Sequence, residues 1–326
     1  MNRRATVILA VAGIVVLALL AFIGIVPIDP AALFQEGSAR FIFWKLRVPR
    51  TLLGFLAGSS LALAGFIFQN LFKNSLATPY TLGVSSGAAA GVVLAIKLNL
   101  GFSLLGSNGI YLFGFGGAMV SVFLIMTIAR AVRSFSIYTL LMTGVAINFF
   151  FSSLIVLVQY LFDYTQTIEI LRWLMGSITP SGYTEVLVLL PVYTVFVTVA
   201  VLARKELVIA SAGDQFAQAK GLDIRRFRIL MFLVVSLVVG TVVSFVGPIG
   251  FIGLIVPHAA RILNRQHYGS ALVFTVLAGG FLLSFTDFLA RVLIKPAEIP
   301  VGILTALMGA PFFLMILIGS LRKDRR

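Results

Sequence analysis

The stretch RVPRTLLGFLAGSSLALAGFIFQNLFK (residues 47–73) carries Arg47 and Arg50, then 22 uncharged residues, then Lys73. A helix over that run is about 33 Å long at roughly 1.5 Å per residue. That matches a hydrocarbon core of roughly 30 Å. Gly54 and Gly58 fall on one helical face, where small residues let a second backbone approach closely. Runs of this kind recur along the chain. Of its 326 residues 60% are hydrophobic and 11% charged, with a mean hydropathy of +1.08. Soluble domains carry about 25% charged residues, so this much apolar surface implies lipid as the solvent. A transmembrane barrel would instead show alternating segments of about ten residues. The expected fold class is an all-α polytopic membrane protein.

Apolar runs lie near 5–26, 48–72, 82–100, 109–130, 137–161, 184–203, 228–247, 250–264, 269–293 and 300–320. The eighth is short and holds Pro257, so a re-entrant segment is its alternative. With ten spans both termini share a side, and that side collects 17 of the 25 basic residues. Nine spans would separate MNRR from RKDRR and spoil the asymmetry. The positive-inside rule therefore predicts ten transmembrane helices with both termini cytoplasmic, in a cell inner (plasma) membrane. The apolar N-terminal run reads as a retained first helix, not a cleaved leader. Residues 1–326 read as a single transmembrane domain, with 204–227 as its longest cytoplasmic loop. The net charge of +14 sits in short connections between spans. It signals topology and contact with membrane lipid; no nucleic acid partner is expected. There is no cysteine, only two histidines and no nucleotide-binding motif, so neither a metal site nor ATP hydrolysis is expected in this chain.

The segments PYTLGVSSGAAAG (79–91) and PIGFIGLIVPHAA (248–260) both follow a long run, begin with proline and are rich in small residues. They lie five spans apart and so face opposite ways, as an inverted internal repeat would place them. Gly83, Gly87 and Gly91 share one face, which either packs a neighbour or lines a passage.

Few polar groups interrupt the apolar runs. Gln69, Asn70, Asn148, Gln159 and Asp287 are the main ones. Asp287 precedes Arg291 by four residues, the favourable order for a helical ion pair. A proton-driven carrier would place several acids mid-membrane, and one is too few. SAGDQFAQAKGLDIRR (211–226) reads as a short amphipathic helix. Asp214 caps it, Phe216 and Ala217 supply apolar surface, and Gly221 ends it. Such a helix either lies on lipid headgroups or docks into a groove on a partner. Arg47, Arg50, Arg291 and Lys295 fall on the outer side, against the charge rule. They read as a basic rim for an acidic partner, with snorkelling or the Asp287 pair as the plainer alternatives. Pro49 suits the first turn of the second span.

RVPR (47–50), LAGSSLALAGFIFQNLFKNSLATPYTLGVSSGAAAG (56–91), GDQFAQAKGLD (213–223), GPIGFIGLIVPHAARIL (247–263) and AEIPVGILTALMGAPFF (297–313) together resemble the permease subunits of type II ABC importers, which take up iron–siderophore complexes, haem and cobalamin. The resemblance covers nearly the whole chain in order. It implies a homodimer of ten-span subunits, two cytoplasmic ABC ATPase subunits that hold the ATP and magnesium, and a periplasmic substrate-binding protein. Arg47, Arg50 and Arg291 then resemble the arginines that meet acids on that binding protein. Ala212, Gly213, Asp214, Gln215, Phe216, Ala217, Lys220, Gly221 and Leu222 resemble the coupling helices seated in the ATPase. Asn74 and Leu76, with Ser136, Tyr138 and Thr139, resemble the cytoplasmic gate. The family's Asn-Pro-Leu-Ala reads NSLA here, and bulky Tyr138 replaces a small hydroxyl residue. The expected function is alternating-access import of a bulky ferric siderophore, with haem or cobalamin as alternatives. An ion-gradient-driven secondary transporter is the rival. An intramembrane enzyme lacks any paired catalytic constellation.

Overall fold

Residue 47 lies inside a helix, not at its start. Ser38–Leu71 form one continuous 34-residue helix, α1. Proline 49 cannot donate to the carbonyl four residues back. Just upstream the winding widens to a π-helix over Ile42–Arg47, where the Val48 amide donates to the Phe43 carbonyl five residues back. Regular α-helix resumes at Val48–Leu71. The sequence expectation that Pro49 opens this span is therefore corrected: it marks a change of winding within it.

The computed structural model describes residues 13, 15–23, 29, 37–99, 103–104, 107–132, 136–161, 164–263, 268–294 and 297–323. Residues 15–22 are largely helical. After α1 come α2 (Val84–Lys97), a two-residue ribbon of β1 (Ser103–Leu104) and β2 (Ser107–Asn108), α3 (Gly109–Ala131) and α4 (Ile137–Tyr160). Next are α5 (Tyr164–Leu174), α6 (Thr184–Leu202), α7 (Arg204–Ala212) and α8 (Asp214–Ala219). The chain closes with α9 (Ile224–Val246), α10 (Ile252–Leu263), α11 (Tyr268–Val292) and α12 (Val301–Lys323). The fold is all-helical apart from the ribbon, in which Ser103 pairs with Asn108 antiparallel.

Among the described residues six helices are long and apolar enough to cross a membrane: α1, α3, α4, α6, α9 and α11. Three shorter apolar helices are α2, α10 and α12 over Val301–Met315. The chain is a multi-pass membrane protein. The first expected span, 5–26, falls largely outside the described residues. The eighth is the 12-residue α10, about 18 Å long by helical rise.

Helix α1 is at the centre, packed by α11, α10, α9 and α6. Lipid tails are as apolar as leucine, so close backbone contact must hold such helices together. A methyl group at Gly58 would overlap the Gly279 carbonyl of α11, and one at Gly65 would overlap the Gly253 carbonyl of α10. Gly87 and Gly91 pack the same way on Gly117 and Phe113 of α3, so their shared face is a packing face.

The packing pattern repeats. α1 lies on α11 as α9 lies on α3; α2 contacts α9 as α10 contacts α1; and α2 contacts α4 as α10 contacts α12. Each short helix follows a residue with positive φ, Gly83 at 76° and Phe251 at 66°. The repeat read from residues 79–91 and 248–260 thus has a counterpart in packing.

Gly65→Ala should lower the melting temperature of the detergent-solubilised chain, at a cost of about 1–3 kcal/mol from overpacking. Gly116→Ala, where an added methyl meets open space, should leave it equal or higher. Equal melting of the two variants would show that this contact does not hold α1 in place.

Candidate coupling and docking sites

Two charge clusters lie along α1. About a third of the way along it, Arg50 grips the buried Asp287 of α11 with two nitrogens, Nε at 3.0 Å and Nη2 at 2.9 Å from Oδ1. Its Nη1 donates to Glu298 Oε2 at 2.9 Å. Arg291 Nε lies 3.2 Å from the other Asp287 oxygen, so the i,i+4 pair read from the sequence forms. Asp287 and Arg291 side chains are only 2% and 6% exposed. Two cations and two anions balance within the cluster. Arg47 is buried as well, its Nη1 donating to the Phe22 carbonyl at 2.7 Å.

This arrangement corrects the picture of an open basic rim. Arg47 and Arg291 point into the protein, and Arg50 is 15% exposed and shared with Glu298. Lys295 lies outside the described residues. Glu298 was missed by sequence reasoning because it sits beyond the helix, where no periodic spacing pairs it with Arg50. Helix α5 was missed too. Its signal was present: Ile170 is fully buried, Trp173 and Leu174 pack against the core, and Glu169 and Arg172 face outward. Beside the cluster, α5 and the start of α12 enclose a cavity of about 650 Å³ lined by Arg50, Ile168, Arg172, Glu298 and Pro300.

The C-terminal end of α1 meets α8. Gly213, with φ 140° and ψ 152°, separates α7, which ends at Ala212, from α8. Asp214 was expected to cap α8. The structure shows Gly213 at the cap position and Asp214 inside the first turn, its carboxylate turned elsewhere. It accepts from Arg228 Nη2 of α9 at 2.8 and 3.0 Å, and lies 3.6 Å from Lys73 Nζ. Burial pushes the Asp214 carboxyl up, but the hydrogen bond and charge of Arg228 and the Lys73 ammonium more than offset this. The group sits below the usual carboxylate range, so it is ionised throughout neutral pH. Leu222 donates to the Ala217 carbonyl at 3.0 Å and Gly221 to Gln218 at 2.9 Å, a Schellman ending that needs glycine at its positive φ. Ala217 is buried under the helix, while Gln215, Phe216 and Lys220 face out. Lys220 Nζ lies 5.7 Å from the Phe216 ring centre.

One residue past Lys73, Asn74 Oδ1 accepts from the Leu76 amide at 2.9 Å and its carbonyl accepts from Ala77 at 3.1 Å. These bonds hold the turn in which Ser75 stands where the resembled family has proline. Ser136 caps α4, accepting from the Thr139 amide at 3.1 Å. Leu76 and Tyr138, both in segments expected to form a gate, are 43% and 72% exposed, so both segments present apolar surface. Gln69, in the last turns of α1, donates to the Gly253 carbonyl at 3.0 Å and accepts from Arg261, tying α1 to α10. Among the described residues no three acidic or histidine side chains gather as metal ligands.

The chain belongs to the FecCD transport family, whose pattern it matches over residues 8–319. It is 38% identical to the cobalamin import system permease of Halobacterium salinarum, over 86% of this chain and 74% of that one. It is 34% identical to the hemin transport system permease of Yersinia pestis, over 85% and 83%. A solved inward-facing structure assigned to the metal-chelate type of ABC transporter superposes with a TM-score of 0.86. The two share 29% identity, over 98% of this chain and 100% of that one. The chain is thus an ABC transporter permease of the FecCD transport family.

Removing the Asp287 charge would leave the buried Arg291 without its carboxylate and Arg50 with Glu298 alone. Asp287→Asn should cost about 3–5 kcal/mol of stability, whereas Glu298→Gln, at an exposed pair, should cost under about 1 kcal/mol. Unfolding of both variants in detergent checks this, and equal losses would refute the ranking.

Proposed function

We propose that two copies of this chain, each with ten spans, form the pathway of an ATP-driven importer in a cell's inner membrane. Both termini face the cytoplasm. A separate ATPase pair, carrying ATP and magnesium, seats on α8, and a binding protein delivers a bulky iron chelate, haem or cobalamin to the opposite face. The observation that carries this reading is α8 itself. Its Phe216 is 47% exposed, yet the helix is fixed beneath by buried Ala217 and by Asp214. Such an exposed aromatic on a fixed helix suits a groove on a partner. The substrate leaning is to ferric siderophore, supported by nothing finer than family membership.

On the outer face Arg50 is the most accessible arginine of its cluster. An acidic binding-protein lobe would compete with Glu298 for its guanidinium, so among the described residues the docking role shrinks from a rim to Arg50. The chain supplies no hydrolytic residues; alternating access follows from ATP-driven movement of α8 against the spans.

Purified chain, its genomically neighbouring ATPase and binding protein are reconstituted in proteoliposomes. Phe216→Ala should weaken ATPase binding about 30-fold, the size of a 2 kcal/mol hot spot. Arg50→Glu should weaken binding-protein docking, more at low salt. Uptake should require ATP. Uptake driven by a proton or sodium gradient without the ATPase would establish the secondary-carrier reading instead.

A further inference from the structure

We infer that Asp214 and Lys73 form a joint by which movement of α8 is carried directly to the gate turn at Asn74–Leu76. The inference rests on the reading of α8 as the ATPase-docking helix and of residues 74–76 as a gate turn. Asp214 is fixed on one side by Arg228, which is 4% exposed on α9. A guanidinium so buried holds its counter-charge firmly, because separating them strands a charge away from water. On the other side the same carboxylate meets Lys73 Nζ at 3.6 Å. The ammonium also lies against Gly213, 3.5 Å from where a Cβ would stand. One carboxylate therefore links the helix knob, α9 and the end of α1.

The backbone of Lys73 supplies an independent reason to think its side chain matters. Lys73 has φ 48°, in the left-handed position that closes α1. Glycine takes that conformation without strain and ordinarily occupies it. A lysine there keeps the strain and gains a long cationic arm reaching Asp214. The next residue, Asn74, builds the gate turn through its own side chain. A displaced α8 thus pulls on the turn through a chain of three residues, Asp214, Lys73 and Asn74, with no intervening loop slack. The Lys73 arm is 35% exposed. It positions the gate turn without bearing on the fold.

The test uses the complete reconstituted importer and reads substrate taken up per ATP hydrolysed. Lys73→Met removes the charge at similar length. Lys73→Gly removes the arm and relieves the backbone. Both should bind the ATPase within about twofold of the unaltered chain and hydrolyse ATP, yet import at least about fivefold less substrate per ATP, the lower range of coupling between sites. Lys73→Gly should at the same time melt higher, a combination that a merely structural role would not give. Lys73→Arg should restore the ratio. Unaltered uptake per ATP in Lys73→Met or Lys73→Gly overturns the joint. If Phe216→Ala binds the ATPase as tightly as the unaltered chain, the reading of α8 falls and the joint with it. If Phe216→Ala binds weakly while both Lys73 variants couple normally, the joint alone falls.

Discussion

Everything in this molecule is arranged around the backbone of α1. In a bilayer, apolar surface gives helices little reason to prefer one another over lipid, so association depends on how closely they fit. Glycines at 58 and 65 bring α11 and α10 against α1 at the distance of a missing methyl group. The same device fixes α2 on α3. With α1 enclosed on several sides, its two ends become reference points for the rest. The buried polar groups follow from this. Ser59 donates to the Val276 carbonyl at 2.8 Å, a bond possible only because the helices already lie so close.

The two charge clusters on α1 solve opposite electrostatic problems. Around Arg50, charges are gathered inward until they balance, so the buried carboxylate is held by two arginines at once. Past the helix end at Lys73, one partly exposed carboxylate serves two cations, one buried and one partly exposed. The first arrangement suits a fixed point, since each ion would be costly to uncover. The second keeps its carboxylate in reach of water while a buried guanidinium anchors it.

Composition, the length of the apolar runs and the small-residue spacing made the fold class legible, because those features are what lipid demands of any chain. The i,i+4 pair of Asp287 and Arg291 was legible for the same reason: helical geometry alone brings it together. The roles of Arg47, Arg50 and Asp214 were not. Sequence tells how many charges lie near a membrane face, but which of them find internal partners is decided by contacts 237 and 14 residues apart. Thus a carboxylate in a good capping position was drawn to a nearby guanidinium instead. Helix α5 was legible and overlooked, since its apolar residues repeat at helical spacing within an otherwise polar connection.

The π-wound turns at Ile42–Arg47 have a consequence for phase. A π segment uses more residues per turn than the α-helix that follows it. Residues upstream of Val48 are therefore rotated from where an unbroken heptad-like count would put them, by on the order of 100° per surplus residue. Phe43 and Arg50, seven apart, would otherwise stand on nearly the same side. Phe43 packs instead on Phe22, while Arg50 reaches Asp287. A surplus residue in one helix acts like a frameshift in three dimensions. It leaves the letters in order and changes which neighbour each of them addresses.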